Sequence, residues 1–522
     1  MADSDYITLW GIILVTITFV LRYLIIFKSE NNFDVFGHLY FVKQVKKKGR
    51  GPFTSIETRI LESVEIEHPF LWHWFVGRLP IGLIIKYNRL LNPLLDSVYV
   101  LIIYFLTLKM GFSLEDASWV ILLYLFSPLF FTKLNLGPRI FCTPRLFSEV
   151  LVNLFLILTI LPLGINDELR ILLGAICVFF VLGSSKFGLQ AILFLTPLVC
   201  IFENNFVPLA TSFAGLVGIL VCSNFRFAKS VKEQLKHLAW YFKKNLTNET
   251  AVSRRNDFKR IFSFEKDKTL TNNFSRLIIR LVQDFSYSSI ILKFPCFLLF
   301  FVFLIFCQND ETIRSLNIFA GPVLASAILF ILVSLPLLLF LGEAERYISH
   351  ASFFALLGTV VMAKSLSLEF ILYILLIYGI LYLLIEIFLL PDSRASRKYE
   401  DLKLLSFLQK QNFKINLILY PFHAIGIWRV LLQTPANVLF PFHNKHKLKK
   451  LIENRYCPEY PYTNLDHLEE MAAELGINML VFDKKELSRK LPSWRIGENW
   501  NELDLGGKFY SVFSRKDFEV IL

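Results

Sequence analysis

The sequence predicts an all-α multispan membrane bundle of about eleven transmembrane helices, with interfacial amphipathic helices in a long first outer loop and a small C-terminal α/β domain. Three observations lead there. Of the 522 residues, 55% are hydrophobic and only 19% are charged, whereas soluble domains carry about 25% charged residues. The mean hydropathy is +0.52, and the apolar residues are gathered into blocks close to the ~20 residues a spanning helix needs. Charge is gathered between the blocks: residues 28–91 hold 10 Lys/Arg against 6 Asp/Glu, residues 226–287 hold 14 against 6, and residues 391–522 hold 20 against 16. Those surpluses together exceed the net charge of +12, so the membrane part is slightly acidic. A cytosolic enzyme, a disordered chain and a fibrous one are excluded.

Candidate spans fall near 6–27, 93–111, 117–133, 146–164, 169–185, 188–203, 205–223, 288–307, 318–341, 350–364 and 367–390. The first run carries Arg22 and no small-residue cleavage site, so it reads as a retained helix rather than a signal peptide. Within the membrane part, residues 1–390, the first outer loop (28–91) resembles two amphipathic helices. One starts at Phe33 and runs into Lys46, Lys47 and Lys48, and the other begins near Pro69 and carries Trp72 and Trp74, as expected of helices in the headgroup layer. The second large loop is 226–287, where Asn245, Asn248 and Asn273 open N-glycosylation triplets. Residues 391–522 change pattern: Lys414 to Tyr420, Ala436 to Phe440, Ile477 to Phe482 and Phe509 to Phe513 read as strands, and Leu465 to Leu475 as a helix closed by Gly476. Seven scattered cysteines form no disulfide framework. Neither GxGxxG nor GxxxxGK[ST] occurs.

Ionisable residues beside a bilayer are costly and become functional candidates. Asp34 and His38 stand four apart, on one helical face. The pair could present a base or a metal ligand, or Asp34 could simply cap the helix. Glu65, Glu67 and His68 precede Pro69, where capping and sugar binding are both open readings. Arg139 and Arg145 flank a short connector, and Lys186 sits in another; each could grip a phosphate or snorkel to the interface. Gly342 to His350 packs Glu343, Glu345, Arg346 and Tyr347 into a turn where a simple connector needs none of them. That density favours function.

An Asp-x3-His opening of the first loop, then a His-Pro helix, a Thr-x-Arg connector, a Lys-Phe-Gly connector and a late Glu-Arg-Tyr connector together resemble the GT-C glycosyltransferases. These include protein mannosyltransferases and lipid A aminoarabinose transferases. The resemblance implies transfer of a sugar from a polyprenyl-phosphate donor to a glycan, lipid or protein acceptor, on the non-cytoplasmic side of a bacterial inner membrane, or of the ER if the chain is eukaryotic. It implies Asp34 as general base, with Arg139 or Arg145, Lys186 and Arg346 on the donor phosphate; His38, Glu67, His68, Glu343, Glu345 and Tyr347 are the further substrate-binding candidates. The family's acidic pair is reduced here to Asp34 followed by Val35. No cofactor is required by the pattern; a divalent cation could use Asp34, His38, Glu67 and His68, but no spacing demands one. Membrane lipids are expected partners and nucleic acid is not. Family topology places both large basic loops outside, against the positive-inside rule, which is weak for loops of about 60 residues or more. A polysaccharide polymerase or ligase would carry its large outer loop late, and a flippase would show two matching halves.

Overall fold

A computed structural model describes residues 2–27, 33–48, 51–60, 64–132, 139, 141–245, 256, 285–306, 317–388, 398–422, 424–440, 455–459 and 461–521. The Asn248 and Asn273 triplets fall outside these residues. The membrane part is helical: α1 (Ala2–Phe27), α4 (Ile81–Lys109), α5 (Leu114–Phe126), α6 (Pro144–Ile160), α7 (Asp167–Ser184), α8 (Lys186–Glu203), α9 (Val207–Cys222), α11 (Ser286–Lys293), α12 (Pro295–Phe306), α13 (Asn317–Ser334), α15 (Ser352–Ser365) and α16 (Phe370–Phe388). Among the described residues, four helices, α1, α4, α8 and α16, are long and apolar enough to cross a membrane. This is an integral membrane protein.

The eleven expected spans are not all present as single long helices. The run 205–223 ends as α9 and turns through 109° into α10 (Arg226–Asn245), and α11 turns through 101° into α12 at Pro295. Counting each bent pair as one span brings the number to six. The run 117–133 becomes a 13-residue helix followed by a 3-10 turn starting at Pro128, and 318–341 breaks at Pro336. At Pro128, Pro295 and Pro336 the physical reason is shared: proline cannot continue the helical hydrogen-bond ladder, and it ends the helix while apolar composition continues. The turn after α9 instead falls at Asn224 and Phe225, both in the left-handed region (φ +47° and +59°).

Charges buried between the helices organise the first half of the bundle. Arg22 of α1 is fully buried and pairs with Asp96 of α4 at 2.7 Å. Its guanidinium also donates to the carbonyl of Leu125 at the end of α5 (3.0 Å). The other oxygen of Asp96 meets Arg139 at 3.2 Å, and Arg139 reaches Glu149 of α6 at 2.8 Å and the Tyr124 hydroxyl of α5 at 2.9 Å. Tyr124 in turn donates to Asp96. Asn92 of α4 donates to the carbonyl of Arg139 (2.8 Å), fastening the connector itself.

The first outer loop comprises α2 (Phe33–Lys48), a short antiparallel hairpin of β1 (Ile56–Thr58) and β2 (Val64–Ile66), and α3 (Leu71–Val76). The helix α2 starts at Phe33, so Asp34 lies in its first turn rather than at its cap. Nor does Glu67 cap a helix: α3 starts two residues after Pro69, with Phe70 at its N-cap.

The C-terminal part contains α17 (Lys398–Lys410), β3 (Asn416–Tyr420), α18 (Ile427–Gln433), β4 (Asn437–Val438), α19 (Leu468–Leu475), β5 (Met479–Asp483), α20 (Lys484–Lys490), β6 (Trp500–Leu503) and β7 (Tyr510–Arg515). The strands form one five-stranded sheet in the order β4-β3-β5-β7-β6. Pairing is parallel among β4, β3 and β5 and antiparallel on to β7 and β6. Gly476 closes α19 in the left-handed region (φ +61°), which a Cβ would strain.

This sheet and the first outer loop share one apolar core, with Val35, Leu39 and Val42 of α2 buried together with Leu417 to Leu419, Val430 and Val481. Trp428 of α18 packs on Phe41 and Tyr40 of α2, with ring centroids 5.1 and 5.9 Å apart. It lies so close to Gly37 that a Cβ there would sit 3.1 Å from the indole. The last carbonyls of α18 are capped from the loop: Arg59 donates to Leu431 and Thr434, and Lys43 to Leu432. Cations at a helix C-terminus satisfy its free carbonyls and its dipole together. The C-terminal sheet therefore carries α2.

Asp96→Ala removes the one carboxylate that Arg22 pairs with among the described residues. Because breaking a buried pair strands a charge, folding should weaken by about 3–5 kcal/mol. A drop of many degrees in the thermal midpoint of the detergent-purified chain checks this, with Asp96→Asn intermediate.

Candidate functional site

Two of the bundle helices begin at one place. Thr143 is the N-cap of α6, accepting from the Arg145 amide, and Pro144 opens its first turn, where a missing N–H costs nothing. Ser185 is the N-cap of α8, accepting from Gly188 at 3.1 Å, and Lys186 follows it. Thr143, Pro144 and Arg145 together with Ser184, Ser185 and Lys186 line one cleft of about 600 Å³. A helix N-terminus presents unpaired N–H groups and about half a positive charge. Both ends carry a side-chain cation as well.

The remaining wall comes from α2 with Asp34 and His38, from His68, and from Arg346 with Phe187. Asp34, His38, His68, Arg145, Lys186 and Arg346, spread over more than 300 residues of chain, thus converge. Arg346 is the second residue of the short helix α14 (Glu345–Ser349), which follows Gly342, whose φ of +111° suits glycine and where a Cβ would meet Phe187 at 2.7 Å. That closeness lets the Arg346 guanidinium lie over the Phe187 ring, 3.8 Å from its centroid.

Glu343 sits behind this wall and orients it, its Oε2 meeting Arg145 at 3.1 Å and Arg346 at 2.9 Å. One carboxylate shared by two guanidinium groups leaves a net positive charge on the trio. Lys186 has no carboxylate partner among the described residues, so the cleft favours an anion, with Asp34 placed at its rim. Among the described residues, no group of three or more His, Cys, Asp or Glu side chains is placed to hold a metal ion.

The other candidates lie elsewhere. Arg139 does not reach this cleft; Asp96, Glu149 and Tyr124 engage it inside the bundle. Glu67 pairs with Lys229 of α10 at 2.6 Å and lines a neighbouring cleft of about 910 Å³ with Phe53, Thr54, Ser55 and Arg226. Glu345 and Tyr347 are both buried, and Tyr347 belongs to the bundle core.

The sequence offers His73, with His68, for sugar binding but gives no sign of its partner. His73 is fully buried on α3, and its Nε2 lies 2.9 Å from Nδ1 of His38. The two residues are 35 positions apart, so no local pattern announces the pair. Thr143 and Ser185 did carry a legible signal, a capping residue ahead of Pro144-Arg145 and of Lys186. Burial, and after it the charge of Lys186, pushes the His38 imidazole down to about 3. Burial, and after it His38, holds His73 well below the ordinary imidazole value. Both rings are neutral in the folded chain at neutral pH.

No protein-family profile matches the sequence, and no curated protein matches it. Among solved structures, the oligosaccharyltransferase of Archaeoglobus fulgidus in its apo form resembles it at 12% identity, over 91% of this chain and 69% of that one, with a TM-score of 0.51. The apo structure of ArnT from Cupriavidus metallidurans resembles it at 12% identity, over 97% of this chain and 98% of that one, with a TM-score of 0.46. The chain shares the fold of that archaeal oligosaccharyltransferase.

The neutral histidines give stability a pH dependence of known sign. Below about pH 6.5 the unfolded chain protonates both imidazoles, while folded His38 resists until about pH 3. Stability is therefore complete above pH 6.5 and is lost as pH falls toward 3, by at most about 1.4 kcal/mol per pH unit per histidine. Thermal midpoints measured from pH 7 to 4 should fall more steeply for the native chain than for a His38→Gln, His73→Gln double variant.

Proposed function

We propose that the chain is an inverting membrane glycosyltransferase that moves a sugar from a polyprenyl-phosphate donor to a glycan, lipid or protein acceptor on the non-cytoplasmic face. One observation carries the proposal: the N-termini of α6 and α8, with Arg145, Lys186 and Arg346, surround a cleft whose rim bears Asp34. Such a cleft suits a lipid-linked phosphate, because fixed N–H groups and guanidinium forks bind phosphoryl oxygens without being reorganised during reaction.

In this reading the donor's phosphate lies against Arg145, Lys186 and Arg346 and its sugar lies toward α2. Asp34 accepts the proton of the acceptor hydroxyl as that oxygen attacks the anomeric carbon. The bond from that carbon to the phosphate oxygen breaks, and the three cations stabilise the charge that gathers on the departing polyprenyl phosphate. Attack opposite the leaving group inverts the configuration. The apolar chain of the donor lies among the spans.

Membranes carrying Asp34→Asn, supplied with a polyprenyl-linked sugar, should lose transfer by about 100-fold or more, as expected when a general base is removed. Full activity would show that Asp34 is not the base. Arg346→Ala should raise the KM for the donor more than that for the acceptor; equal losses would assign Arg346 a structural role.

A further inference from the structure

The His38–His73 contact carries information about proton placement. Both rings are neutral, so one of the two facing nitrogens bears the shared hydrogen and the other accepts it. If His38 Nδ1 were the donor, the proton of His73 would have to sit on its Nδ1. That atom is buried and has no hydrogen-bond partner among the described residues. A buried N–H without an acceptor is the rarer and costlier defect, since the donor gives up its bond to water and gains nothing. With the hydrogen on His73 Nε2 instead, only a lone pair is left unused. His38 then carries its own hydrogen on Nε2.

That second nitrogen of His38 makes no hydrogen bond among the described residues and is not one of their buried unpartnered atoms. His38 lines the cleft, so Nε2 is the polar atom it offers there. Asp34 stands one helical turn away on α2, which places a hydrogen-bond donor and a carboxylate on the same helical face. Around them Arg145, Lys186 and Arg346 also present donors. A neutral N–H completes a donor-lined anion site, where a bare nitrogen lone pair would oppose the ligand.

We propose that His73 donates from Nε2 to Nδ1 of His38 and thereby sets His38 as a neutral hydrogen-bond donor, its Nε2–H directed into the cleft at a phosphoryl oxygen of the donor substrate. His73 is then a positioning residue, held by the aromatic packing of Phe41, Phe70 and Trp72 around it. The ligand class rests on the cleft taking a lipid phosphate, as proposed above; the proton placement rests on the pair alone. It also makes His38 a poor proton acceptor and leaves that task to Asp34.

Two measurements on the full-length chain in lipid nanodiscs test this. Nitrogen NMR of 15N-histidine-labelled protein, with the His38 signals identified by their loss in His38→Gln, should show a protonated Nε2 and a bare Nδ1. The reverse pattern overturns the proposal, whatever the enzyme acts on. Binding of farnesyl phosphate should weaken roughly 10- to 100-fold in His73→Leu, the effect of losing a hydrogen bond to a charged group. It should be kept within about threefold in His73→Gln, whose side-chain amide can still donate to His38 Nδ1. Unchanged binding in His73→Leu, or an equal loss in both variants, refutes the positioning role. Sugar transfer is not read in either measurement, so a chain with the expected tautomer and binding but no transfer would refute the proposed reaction and leave this inference standing.

Discussion

Asp96 is the point on which the first half of the bundle depends. A guanidinium group cannot be left alone among apolar helices, because the desolvation penalty is several kcal/mol per ion. One buried carboxylate neutralises Arg22 on one side and Arg139 on the other, and Glu149 completes the count. The network ties α1, α4, α5 and α6 together and fixes the connector that leads into Thr143 and Pro144. It thereby determines where α6 begins. With Arg139 committed inside the bundle, Arg145 is the arginine of that connector left to face the cleft.

The same economy of charge shapes the cleft. Two helix N-termini, two arginines and a lysine would repel one another if nothing lay behind them, and Glu343 offsets part of that repulsion while fixing both guanidinium planes. Phe187 covers one face of Arg346. The opposite wall is supplied by α2, which is not held by the bundle alone. Trp428 and the C-terminal carbonyls of α18 grip it through Gly37, Lys43 and the Arg59 that follows the β1 strand. The sheet is thus mechanically part of the site, although no cleft-lining residue comes from it.

Much of this was legible in the chain because it depends on local rules. Long apolar blocks announced helices, the Thr-Pro-Arg and Lys-Phe-Gly connectors announced cations between them, and a crowded turn at Gly342 to Tyr347 announced something beyond a connector. Where prediction overshot, the cause was local too. Prolines at positions 295 and 336 interrupt blocks whose composition alone looks continuous, and α10 leaves the axis of α9 because its basic and aromatic faces favour an interface over a span. Glu67 and Arg139 looked like cleft residues because sequence shows that a charge exists near the membrane, not which partner will claim it.

By itself the sequence determined a membrane bundle and an order of motifs that resembles the GT-C enzymes, since hydropathy and spacing act over a few residues and can be read one segment at a time. Only the tertiary structure decided which charges neutralise one another and which remain to face the cleft. Pairings such as Arg22 with Asp96, Glu343 with Arg145 and His38 with His73 join positions 74, 198 and 35 residues apart. Electrostatic satisfaction in a buried site is a property of the neighbours that folding brings together, and no local pattern encodes it.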